Sequence, residues 1–272
     1  MRTHVNMILG IYGFLQPYHW VDINDLVGSP MADDLYADDP YAEDAYSLFF
    51  SRSENMGWAT DALSSVETEV LWEMHEADFS ERSTENPTES TLVAWFQVGV
   101  PRKDRHPLPI LPALACAHDT VHRMGKLRLD ALQVMLPSMT PARYWDQAAV
   151  TAEWFHLHDP EGLTAVRATV DGGTVMAIDD HPQEEVLEML QTFDTSPFRF
   201  VAVSRSPADF VEPAPSVLSE DWFPPSRDRV TFEILSPGWS IDTAAWIASL
   251  LSTAVCQEEP FGPAMLSIGQ VV

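Results

Sequence analysis

Lysine is nearly absent from this chain: Lys103 and Lys126 are the only two, and arginine carries the rest of the positive charge. With 15 basic residues against 41 acidic ones, the formal net charge is −26. Such a surface repels polyanions, which argues against a general nucleic-acid binder and against a protein held on anionic membranes. Cysteine is equally scarce. Cys116 and Cys256 stand 140 positions apart, which makes neither a disulfide framework nor a metal-ligand pattern. Both lie in apolar stretches and read as reduced, buried thiols. No apolar run approaches the roughly 18 residues of a membrane span. The N-terminus MRTHVNMILGIYGFLQPYHW lacks the small-residue cleavage pattern of a secretory signal. These absences predict a soluble, cytoplasmic protein.

Signatures of familiar chemistry are missing too. Neither G-x-G-x-x-G nor G-x-x-x-x-G-K-[ST] occurs, and there is no G-x-S-x-G. No cofactor and no metal is expected, and no stretch matches a motif closely enough to name a family.

What is present is apolar material and acid. Hydrophobic residues make up 46% of the 272, enough for one large core or two small ones, and nine tryptophans can fill a core or line a pocket. The acid is unevenly placed. Residues 1–90 hold 18 acidic and 3 basic residues, residues 91–160 hold 6 and 7, and residues 161–272 hold 17 and 5. A relatively basic island thus lies between two acidic blocks. Its charge comes from Arg102-Lys103-Asp104-Arg105-His106 and from the run Arg123 to Arg128.

Periodicity predicts strands at Val5–Phe14, Val66–His75, Thr91–Val100, Leu127–Leu136, Val150–His158, Leu163–Val170, Phe198–Ser204, Val230–Leu235 and Ala264–Val272. Helices are predicted near 41–63, at Leu111–Met124, at Gln183–Phe193 and from Asp242 to about Val255. Residues 78–90 and 205–227 read as connections. The β-α-β-β-α-β rhythm, met twice, points to an α+β fold of two tandem ferredoxin-like units over 1–140 and 141–272. One larger α+β sandwich is the alternative. The boundary is expected near Pro137–Trp145.

Two histidine pairs carry the strongest local signals. His118 and His122 are spaced i, i+4 on a predicted helix, the spacing of a zinc-protease helix. Asp119 stands next to the first histidine, and no glutamate occupies the position that motif requires. The helix is expected to place Leu111, Leu114, Ala115, His118, Val121 and His122 on one face. His156 and His158 are spaced i, i+2, which on a strand puts them on one face. In an enzyme these four would be the first catalytic candidates. The tyrosine-interleaved acidic segment Asp33, Asp34, Tyr36, Asp38, Asp39, Tyr41, Glu43 and Asp44 combines charge with aromatic contact area, and is the candidate docking segment. The expected function is therefore an acidic binding or regulatory protein that engages a basic partner protein. The alternative is a small-molecule enzyme of isomerase, cyclase or hydrolase type, independent of nucleotide cofactors, with a histidine-containing aromatic pocket between the two units.

Overall fold

The apolar run from Val5 to Phe14 becomes the middle of β1 (His4–Pro17), where alternate residues Met7, Leu9 and Ile11 are fully buried. The architecture around it comes from a computed structural model, which describes residues 4–21, 44–61, 70–80, 90–101, 108–137, 154–155, 158–159, 161–171, 197–204, 230–255 and 263–271. The other strands are β2 (Ala59–Asp61), β3 (Trp72–Phe79), β4 (Thr91–Pro101), β5 (Gly125–Leu136), β6 (Thr164–Asp171), β7 (Arg199–Ser204), β8 (Val230–Ser236) and β9 (Ala264–Gln270). Three helices accompany them among the described residues: α1 (Ala45–Asn55), α2 (Ile110–Met124) and α3 (Ile241–Val255).

The fold is α+β. All nine strands form one sheet in the order β2-β3-β4-β1-β5-β9-β6-β8-β7. Every pairing is antiparallel except β2 with β3. The sheet is larger than a four-stranded unit because the two halves of the chain meet edge to edge. β5 pairs with β9 from Ala131↔Gly269 to Leu136↔Ala264. With β2 set aside, each half reads fourth, first, third, second strand outward from this seam: β5-β1-β4-β3 on one side, β9-β6-β8-β7 on the other.

Strand alternation sorts the side chains. Leu132, Val134, Leu266, Ile268, Val166, Ala168, Phe232 and Ile234 join the helices in one core that crosses the seam. Phe49 of α1 stacks on Phe96 of β4 at 4.7 Å. The helices lie side by side, α1 on α2 and α2 on α3. A second tie across the halves is the Trp239 indole N–H, which donates to the Leu129 carbonyl at 2.7 Å. Opposite-parity residues Ile8, Trp95, Met135 and Met265 form a smaller apolar cluster on the sheet face opposite the described helices.

Most predicted elements are present within a few residues, with physical reasons for the exceptions. The first helix starts at Ala45 because Asp44 caps it, its carboxylate accepting from the Ser47 N–H at 2.6 Å. It stops at Asn55 because Gly57 takes a left-handed φ of +69°. The last helix is capped by Ser240 and not by Asp242: the Ser240 hydroxyl accepts from the Thr243 N–H at 3.1 Å, and the Thr243 hydroxyl accepts from the Ser240 N–H at 2.9 Å. β3 runs on to Phe79, into the predicted loop. The strand expected at 150–158 is corrected at Trp154 and Phe155, which are not in a strand. Phe155 instead packs edge-on against Phe198 and Trp246. The helix expected at 183–193, the connection 205–227, residues 138–150 of the boundary region and Cys256 lie outside the described residues. Among the described residues no helix is long and apolar enough to cross a membrane.

Gly13 lies at the bulge where β1 shifts register against β5, with φ +154°. A Cβ there would stand 1.9 Å from the Arg128 carbonyl oxygen, whereas one on Gly57 would meet nothing within 4 Å. Gly13→Ala is expected to lower stability by about 2–4 kcal/mol. Gly57→Ala should lose only the left-handed penalty of about 1–2 kcal/mol. Urea unfolding of both variants checks this, and equal losses would contradict it.

Candidate functional site

The buried stripe of α2 is Ile110, Ala113, Leu114, Cys116, Ala117, Thr120, Val121 and Met124. His118 and His122 are not on it. With Ala115 they are exposed on the outer face, which corrects the mixed face expected from the sequence. The reason is angular: Ala113, Ala117 and Thr120 are small enough to let the neighbouring helices approach, so the packed stripe centres on them and turns the histidines outward.

On that outer face the two imidazoles stack, with centroids 5.7 Å apart and planes 18° from parallel. The His118 Nδ1 stands 3.7 Å from Asp119 Oδ1. Asp119 accepts from the Arg52 Nε of α1 at 2.8 Å. The end of β1 closes against the same place, because the Tyr18 N–H donates to the Met124 carbonyl at 3.0 Å. Tyr18 meets His122 edge-on at 6.4 Å and stacks on Trp20 at 4.5 Å. His19 lies edge-on to Trp20. The result is a surface series of rings, Trp20–Tyr18–His122–His118, in which Trp20 is 66% exposed.

The other predicted residues are less gathered. His156 lies outside the described residues, and His158 holds its Nδ1 against the Phe155 carbonyl. Asp33, Asp34, Tyr36, Asp38, Asp39, Tyr41 and Glu43 also lie outside them. Asp44 is described, and its carboxylate is committed to the N-terminus of α1. In the basic island, Arg128 donates to Asp130 at 3.0 and 2.8 Å, and residues 102–106 lie outside the described residues.

Sequence reasoning missed a second cluster, on the sheet face opposite the described helices. β4 lies between β1 and β3, so His4 comes beside Glu73 with Nε2 3.4 Å from Oε1. His75 lies over Gly99, where an added Cβ would be 2.5 Å from its Nε2. Burial pushes the His75 imidazole below its ordinary 6.5, Glu73 opposes that, and the nearby His4 adds to it. The only trace in the sequence is Gly99 within a β-branched strand, a position that gives room to a neighbour. Farther along the same face the Tyr12 hydroxyl donates to Gln133 at 3.2 Å, and Gln133 donates to Ser267 at 3.4 Å across the seam.

Chemically, His4 with Glu73 can exchange a proton, and the α2 imidazoles can each offer a lone pair. Among the described residues no group of three or more His, Cys, Asp or Glu could hold a metal ion. Cys116 is buried, and burial raises its thiol pKa, so it is not an activated nucleophile. Comparison with known proteins returns no matching family model, no matching curated protein and no matching solved structure.

Two outcomes test these assignments. Asp44→Ala should lose about 1 kcal/mol of stability and Asp44→Ser a few tenths, as for a helix cap. Thermal or urea unfolding measures both, and equal effects would remove the cap role. The His75 imidazole has a lowered pKa in the folded state, so its contribution is fully present above 6.5 and is lost as pH falls through the lowered folded value. His75→Gln should flatten stability against pH in that window, measured by urea unfolding at several pH values. An unchanged profile would contradict it.

Proposed function

We propose that the chain is an acidic, non-enzymatic protein that engages a basic partner protein, as a neutralising or regulatory subunit does. It is built from two tandem ferredoxin-like (βαββαβ) units, 1–140 and 141–272, fused through β5 and β9 and working in the cytoplasm. The strand order in each half supports this architecture.

One observation carries the functional reading: the charge is unevenly placed along the chain, and residues 22–44 hold eight acidic residues and no basic one. Among the described residues, Arg52 pairs with Asp119 and Arg128 with Asp130. The concentration of negative charge over residues 22–44 can steer a cationic surface into contact. The segment with Asp33, Asp34, Asp38 and Asp39 is the first candidate for that contact, with Tyr36 and Tyr41 adding contact area.

The test compares two four-fold neutralised proteins. Asp33, Asp34, Asp38 and Asp39 become Asn in one; Glu54, Asp159, Glu161 and Glu233 become Gln or Asn in the other. Binding to poly-L-lysine is measured at low ionic strength and again at about 150 mM, where the Debye length is near 8 Å. The first variant should bind about five- to tenfold more weakly than the second, and binding by the unmodified chain should fall as salt rises. Equal weakening, or salt-insensitive binding, would sink the reading.

A second reading, acid–base chemistry on a small molecule, is favoured by the His4–Glu73 contact with His75 beside it. The groups that support it are His4, Glu73 and His75.

A further inference from the structure

We propose that His118 and His122 form a binding site for a divalent transition-metal ion of the Zn²⁺ and Ni²⁺ class on the outer face of α2. The inference is independent of the acidic-partner reading.

Residues four apart on a helix are surface neighbours. Here the two rings already face one another, 5.7 Å between centroids and 18° from parallel. Two imidazoles bound side by side to one ion, with metal–nitrogen bonds of about 2.0–2.1 Å, bring their centroids to roughly 5 Å. Both histidines are exposed, so their rings are free to rotate out of the stacked arrangement and turn their in-plane lone pairs onto one ion.

The surroundings select the ligand atom. Asp119 Oδ1 faces the His118 Nδ1 at 3.7 Å, and a small ring rotation lets that Nδ1–H donate to it. Such a carboxylate fixes the tautomer with its lone pair on Nε2, the nitrogen that reaches a metal shared with the residue one turn on. Arg52 in turn holds Asp119, donating at 2.8 Å. Tyr18 packs edge-on against His122 and limits its swing. Arg123 is a nearby cation and opposes the ion. The negative end of the helix dipole, since His122 lies in the last turn, and the field of a −26 chain favour it.

Two nitrogen ligands make an open site. Among the described residues no group of three or more His, Cys, Asp or Glu could hold the ion, so the proposal rests on these two imidazoles alone. Half the ligands of a closed structural zinc site correspond to a Kd on the order of 1–100 μM. Imidazole ligands favour Zn²⁺, Cu²⁺ and Ni²⁺ over Mg²⁺ and Ca²⁺.

The full chain is titrated calorimetrically with ZnCl₂, NiCl₂ and MgCl₂, and its thermal unfolding is followed with each salt. The expected result is a Zn²⁺ and Ni²⁺ site in the micromolar range and no Mg²⁺ response. Its affinity should drop at least tenfold in His118→Ala and in His122→Ala, and about tenfold in Asp119→Asn. Exposed side chains are replaced in each case, and an unchanged circular dichroism spectrum confirms that the fold is kept. His122→Gln, closer in size, repeats the test if His122→Ala alters the spectrum. No Zn²⁺ or Ni²⁺ binding below about 1 mM overturns the proposal. So does a micromolar site that survives both histidine substitutions, because the metal then binds elsewhere on the chain.

Discussion

The pairing of β5 with β9 is the constraint on which the rest of the structure depends. Each strand is the last of its half, and each borders the first strand of that half on its other side. Joining them satisfies two edges that would otherwise present unpaired N–H and C=O groups. It also aligns α2 and α3, which pack on each other beside the seam. The core then runs without interruption from Phe49 near one end of the sheet to Phe200 near the other. Neither half reaches the other through a flexible interface. The links are ladder hydrogen bonds, a shared apolar layer and the Trp239–Leu129 bond.

A frame held together in this way makes little use of charge. Its ties across the seam are apolar contacts and neutral hydrogen bonds. Its clearest ion pairs, Arg52–Asp119 and Arg128–Asp130, are exposed and add little to stability. The two polar clusters stand clear of the core: one is on the outer turn of α2 and the other at the margin of the sheet face opposite the described helices.

Much of this frame was legible in the residues. The β-branched run at 91–100, the apolar run at 5–14 and the turn residues flanking them fixed strands by period and composition. α2 was expected over Leu111–Met124 and runs from Ile110 to Met124, with Gly125 as its C-cap. The merging of two sheets into one was not legible, because nothing in LQVML or AMLSIG distinguishes an edge strand from one that pairs a second unit. The outward turn of His118 depended on which small residues the neighbouring helices chose to approach, a property of packing and not of period. The His4–Glu73 contact joins positions 69 apart through a strand lying between them, and only topology brings such residues together. Asp44 shows the reverse case: a residue grouped with a docking segment by its charge belongs, by its hydrogen bond, to a helix end.

The two outer borders of the sheet are unlike. One ends in β2, a three-residue parallel strand, and the other in β7, six residues long with Val201 49% exposed. A stub of that length offers almost no ladder to an incoming chain, whereas β7 offers a full-length one. Among the described residues the two borders therefore differ in the ladder they carry, three residues against six.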